Sequence, residues 1–175
     1  MGATVAETLR EWHDFYLLIG TAAATLIGLM FVAASIGASY FNLERQAGLN
    51  AFLTPTVLHF TAVLIICLLA LAPDHSAGSL SVLLVAGGAV GLVYTGRLWL
   101  QMRRDGMFGT IDLADRTWYL FAPLLAYVLM AAAGIAARAL AEAALPVLAV
   151  TLALLLLLGI RNAWDMTVWI VIRSK

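Results

Sequence analysis

Apolar residues run in five long blocks, at 15–40, 55–72, 79–100, 117–137 and 144–172, with short polar breaks between them. Each block is long enough to cross a ~30 Å hydrocarbon core as a helix rising ~1.5 Å per residue. Proline marks several ends. Thr54-Pro55 predicts an N-cap followed by proline at the first helical position, and Pro73 and Pro146 fall near other boundaries. Pro123, near the start of the fourth block, predicts a local kink. Ahead of the first block, Val5, Leu9, Trp12 and Tyr16 recur at helical spacing, with Glu7, Glu11 and Asp14 between them. That pattern predicts a short amphipathic helix at the interface, or a simple extension of the first span into water. The predicted fold class is an all-α integral membrane protein. It is one domain over residues 1–175, a bundle of five transmembrane helices with a short N-terminal amphipathic helix.

Composition narrows the class. The chain is 63% hydrophobic and 11% charged, with a mean hydropathy of +0.98. Soluble domains carry ~25% charged residues, so no room is left for a separate soluble domain. The single cysteine, Cys67, lies inside an apolar run, which excludes an intrachain disulfide. The N-terminus lacks the basic stretch of a secretory signal and its apolar run is too long for one, so the first span is expected to be retained.

Charge then gives a direction. Five crossings put the termini on opposite sides. One side holds the N-terminus and the breaks around Asp74 and Glu142, with only Arg10 and Arg138 as cations. The other holds Arg45, Arg97, Arg103, Arg104, Arg116, Arg173 and Lys175. The positive-inside rule makes the second side cytoplasmic, in a bacterial-type inner membrane with the N-terminus outside. Trp99, Trp118, Trp164 and Trp169 then fall in the cytoplasmic half as an aromatic belt, and Trp12 marks the outer face. The stretch Trp12 to Tyr16, followed by a Gly/Ala-rich helix, resembles small bacterial inner-membrane proteins, a likeness that assigns no activity.

Two ladders of small residues predict close helix contacts: Gly20, Ala24 and Gly28 in the first span, and Gly87 and Gly91, continued by Thr95, in the third. Such contacts serve packing within one chain or between copies. A small bundle without internal repeats suits a homo-oligomer about a symmetry axis.

The candidate chemistry sits where charge is costly. Within the last apolar block lie Arg161, Asn162 and Asp165. Arg161 and Asp165 are four apart and share one helix face. Charges inside a span cost several kcal/mol each unless they meet each other, water or another helix. His59, Arg97 and the group Asp115, Arg116 and Tyr119 are expected at similar depth, which predicts a polar vestibule open to the cytoplasm and suited to an anion, a head group or a proton-linked step. The plainer reading has Arg161 snorkelling to the interface with Asp165 as its local partner.

His13, Asp14, Asp74 and His75 form a weak metal candidate without a spacing signature, so no metal and no cofactor is expected. The Arg103-Arg104 patch is too small for nucleic acid and suits anionic lipid on the cytoplasmic side. The leading functional expectation is a homo-oligomeric channel or transporter. Its polar site is Arg161, Asn162 and Asp165, with His59 and Arg97 as neighbours. The alternative is a regulatory or assembly subunit that docks another membrane protein through the charged face. A lipid-modifying enzyme, using His59 or Asp165, ranks third.

Overall fold

A computed structural model of the chain describes residues 5–37, 43–72, 76–104 and 113–173. Every element among them is helical: α1 (Val5–Glu11), α2 (His13–Gly37), α3 (Leu43–Leu71), α4 (Ala77–Arg104), α5 (Leu113–Arg116), a π-helical turn (Thr117–Phe121), α6 (Ala122–Ala136) and α7 (Ala141–Arg173). Five stretches are long and apolar enough to cross a membrane: His13–Ser35, Thr54–Leu71, Ala77–Gln101, Thr117–Ala136 and Glu142–Asp165. In hydrocarbon a backbone must satisfy its own polar groups, which a helix does completely. Threonines within these stretches turn their hydroxyls back onto their own helix, as Thr21 does to the Leu17 carbonyl at 2.7 Å and Thr151 to that of Val147 at 2.8 Å.

One expected boundary differs. α3 does not start at Pro55; it begins at Leu43 and runs through the proline. Pro55 removes one N–H from the ladder, and the polar turns before it carry the helix past its apolar part. Pro146 likewise lies inside α7 rather than at its start.

The helices do not pack in chain order. α7 is central, with α3 on one side and α6 on the other. α6 carries α4 on its far side, and α3 carries α2, so the order across the bundle is α4, α6, α7, α3, α2. α3 and α4, although consecutive, hardly touch. Tyr16, Phe60, Met130, Leu148, Leu152 and Leu155 are fully buried in this core. Glycine sets the closeness of the α4–α6 pair. A Cβ at Gly88 would lie 2.9 Å from the Tyr127 carbonyl oxygen, and one at Gly134 2.9 Å from the Val85 nitrogen.

The two ladders separate. Gly87 faces Met130 and Ile66, and Gly91 lies flat under the Tyr127 ring. Gly20 packs on Cys67, where a Cβ would come within 2.9 Å. Ala24 and Gly28 stay on the surface of α2, and nothing approaches within 4 Å of a Cβ at Gly28. α1 is a separate short helix, broken from α2 at Trp12. It meets the start of α7, and the neighbouring Tyr16 hydroxyl donates to the Leu145 carbonyl at 3.3 Å. Leu18, Phe31, Val82, Val90, Val150 and Leu157 are all more than half exposed. So much apolar surface is costly in water and suits lipid, as in a multi-pass membrane protein.

Candidate functional site

Arg161 and Asp165 stand one turn apart on α7, and the guanidinium Nε donates to Asp165 Oδ2 at 2.9 Å. The Tyr119 hydroxyl donates to the same oxygen at 2.7 Å. The Arg161 guanidinium also lies 5.6 Å from the centre of the Trp118 ring, within cation–π range. Both aromatics come from the π-helical turn, where the Ala122 N–H reaches back to the Thr117 carbonyl. The cause is next in sequence: Pro123 has no N–H for the Tyr119 carbonyl, so the turn widens instead of closing as α-helix. This is the irregularity expected at Pro123, expressed as a bulge that presents Trp118 and Tyr119 to α7. The pair is not sealed: the side chain of Arg161 is 41% exposed and that of Asp165 24%.

Beside it, Asn162 is buried to 1% exposure, and its Oδ1 has no hydrogen-bond partner among the described residues. α3 covers this part of α7. Phe60 lies over Gly159 so closely that a Cβ there would overlap the ring. The two helices run antiparallel, so one turn from Gly159 to Asn162 matches one turn back from Phe60 to Thr56. Thr56 and His59 are buried at that level, at 0% and 2% exposure. His59 Nδ1 and the Tyr127 hydroxyl share a hydrogen bond of 2.9 Å, its direction set by the imidazole tautomer. The result is two polar layers on the inner faces of α3, α6 and α7. One is charged and half-open; the other is neutral and closed.

The remaining candidates lie elsewhere. Arg97 is exposed on α4, lining a cleft with Leu100, Gln101 and Arg104. His13 Nδ1 lies 3.1 Å from Asp14 Oδ1 on the exposed start of α2. Asp74 and His75 fall outside the described residues, and among those described no group of three metal-ligating side chains forms. Reading the sequence missed Thr56 and Tyr127 and did not anticipate that Trp118 lies against Arg161. Tyr127 had a usable signal, because a phenol in mid-span must find a partner.

Chemically, the Arg161–Asp165 pair is neutral overall, and the orphaned atom beside it can only accept. Comparison of the chain with family models, with curated proteins and with solved structures finds no match.

Proposed function

We propose that the chain is a multi-pass protein of a bacterial-type inner membrane, N-terminus outside, and a subunit of a homo-oligomeric channel or transporter. Its polar site would be Arg161, Asn162 and Asp165 with Tyr119 and Trp118, and the His59–Tyr127 pair one layer deeper. The observation that carries this reading is the Asn162 Oδ1, without a partner among the described residues and buried beside an ion pair in an otherwise apolar stretch. A buried acceptor without a donor costs ~1–3 kcal/mol, which a purely structural position would avoid with leucine. A permeant that donates hydrogen bonds, such as water, a proton carrier or an ammonium-type cation, would satisfy that oxygen. An anion would meet an arginine already neutralised by Asp165, so the acceptor tips the preference expected from the cations alone. Beyond the site, leucines such as Leu148, Leu152 and Leu155 fill the other half of the bundle. A path across would therefore run between copies.

The same apolar filling favours a second reading, in which the half-exposed Arg161 and Asp165 dock another membrane protein and nothing crosses. Flux in proteoliposomes separates the two. Wild-type protein should pass protons or small cations, and Asp165→Asn should reduce that flux about tenfold or more, the scale set by losing a charged partner in a partly buried pair. Absence of flux across protons, cations and anions, from folded and inserted protein, would overturn the transport reading. A stoichiometric heterologous membrane protein that co-purifies with wild type and is lost with Arg161→Gln would then establish the second.

A further inference from the structure

Because α3 and α4 hardly touch, a groove opens between them, floored by Tyr127 and Met130 of α6. Its volume is about 310 Å³, and its walls are apolar, with Leu58, Ile65 and Leu69 from α3 and Leu83, Gly87 and Val90 from α4. The walls run along the helix axes. Leu58 to Leu69 covers ~16 Å of α3, close to the depth of one leaflet of a ~30 Å core. The groove is thus apolar and, in a membrane, runs along the direction of the acyl chains.

Its polar end is defined by α4. At ~100° per residue, Arg97, Gln101 and Arg104 fall within the arc of α4 occupied by the groove-lining Leu83, Ala86, Gly87, Val90 and Gly91. Arg103 turns away and stacks on Trp99 at 5.1 Å. Neither Arg97 nor Arg104 belongs to an ion pair among the described residues. The α3 wall reaches this end as well. A Cβ at Gly87 would lie 3.7 Å from Ile66 Cδ1, so these positions are level. In an antiparallel pair that puts Leu58 roughly level with Thr95, within one turn of Arg97.

We propose that the groove holds one acyl chain of an anionic phospholipid whose phosphate is bound by Arg97 and Arg104, with Gln101 between them. The inference rests on membrane insertion but not on transport: Tyr127, whose ring floors the groove, is the residue it shares with the proposed polar site, and the variants below leave Tyr127 untouched. Charge complementarity and the shared stripe of α4 select this occupant. A helix from a second copy would fill the apolar part and supply no counter-charge to two guanidinium groups that have none among the described residues.

The test uses the full chain, delipidated in detergent and titrated with phosphatidylglycerol or phosphatidylcholine of matched chains, with bound lipid counted by native mass spectrometry. Wild type should retain one phosphatidylglycerol per chain, preferred about tenfold over phosphatidylcholine, as expected for two interfacial arginines. Arg97→Gln with Arg104→Gln should bring the two lipids to parity. Ala86→Phe, which fills the groove from an exposed position, should cut retention of both, whereas Val150→Phe on the exposed side of α7 should not. Three results would overturn the proposal: no retained lipid, an undiminished preference in the double arginine variant, or an Ala86→Phe variant that loses an oligomer while its lipid is unchanged. The last would give the groove to a second copy. Wild-type protein that passes no protons or ions but keeps its lipid selectivity would count against the transport reading alone.

Discussion

The two halves of α7 solve opposite problems with one helix. From Leu145 to Leu158 it is the axis of a filled core, with Leu148, Leu152, Leu155 and Leu158 without exposure. From Gly159 onward it carries an ion pair, an orphaned amide oxygen and a glycine pressed against a phenyl ring. The first half is what a bundle needs to hold together, because dispersion contacts are its main source of cohesion in lipid. The second half gives up some of that cohesion. The difference teaches where to look for function: at the place on the central helix where packing is not optimised.

That contrast can be broken from either side. The largest effect belongs to the filled half. Leu155→Ala should destabilise the fold by ~2–5 kcal/mol, the usual cost of emptying a buried leucine site. Reversible unfolding in mixed micelles would measure it, and lipid selectivity at Arg97 and Arg104 should be unchanged in the protein that remains folded. A loss well under 1 kcal/mol would mean that the leucine column is not the core contact described here.

The ion pair comes next. Arg161→Leu alone takes the charged partner from a carboxylate that is three-quarters covered, leaving it the Tyr119 hydroxyl, and should cost ~1–3 kcal/mol. Adding Asp165→Leu should recover most of the loss, since replacing both partners by apolar groups is nearly neutral. A double variant less stable than the single would show that Asp165 is held chiefly by Tyr119, and that the pair is not the unit.

Asn162→Leu should have the smallest effect on stability and the opposite sign. Removing an unsatisfied buried acceptor is expected to leave stability unchanged or raise it by up to ~1 kcal/mol. If the proposed transport holds, flux should fall all the same, because the acceptor proposed to meet the permeant is gone. Destabilisation beyond ~1 kcal/mol would mean that the amide has a structural partner, and would remove the main support for the proposed site.

Much of this architecture is legible along the chain. Five helices follow from the length of the apolar runs, because hydrocarbon tolerates no unpaired backbone and a helix is the local way to pair it. The approach of Arg161 to Asp165 follows from a spacing of four residues, a property of one helix. What crosses between helices was not legible. That α4 packs on α6 and avoids α3 depends on Gly88 meeting Ala131 and Gly134 meeting Leu84, and a single-helix pattern does not name its partner. For the same reason His59 finds Tyr127, and Arg97 is left exposed on the surface of the bundle. The widened turn before Pro123 could be anticipated as an irregularity, but its delivery of Trp118 and Tyr119 to α7 could not.

The sequence by itself therefore determined the all-helical character of the protein, the number of its long apolar helices, and the position of its costly charges. These are local consequences of run length, helical period and the solvation of polar groups. Only the tertiary structure decided which polar groups share a layer, that Asn162 is left with an unmet acceptor, and that a groove opens between two consecutive helices. Those outcomes depend on helix faces chosen by shape fit among side chains far apart in the chain, where differences of a methyl group decide how closely two backbones approach.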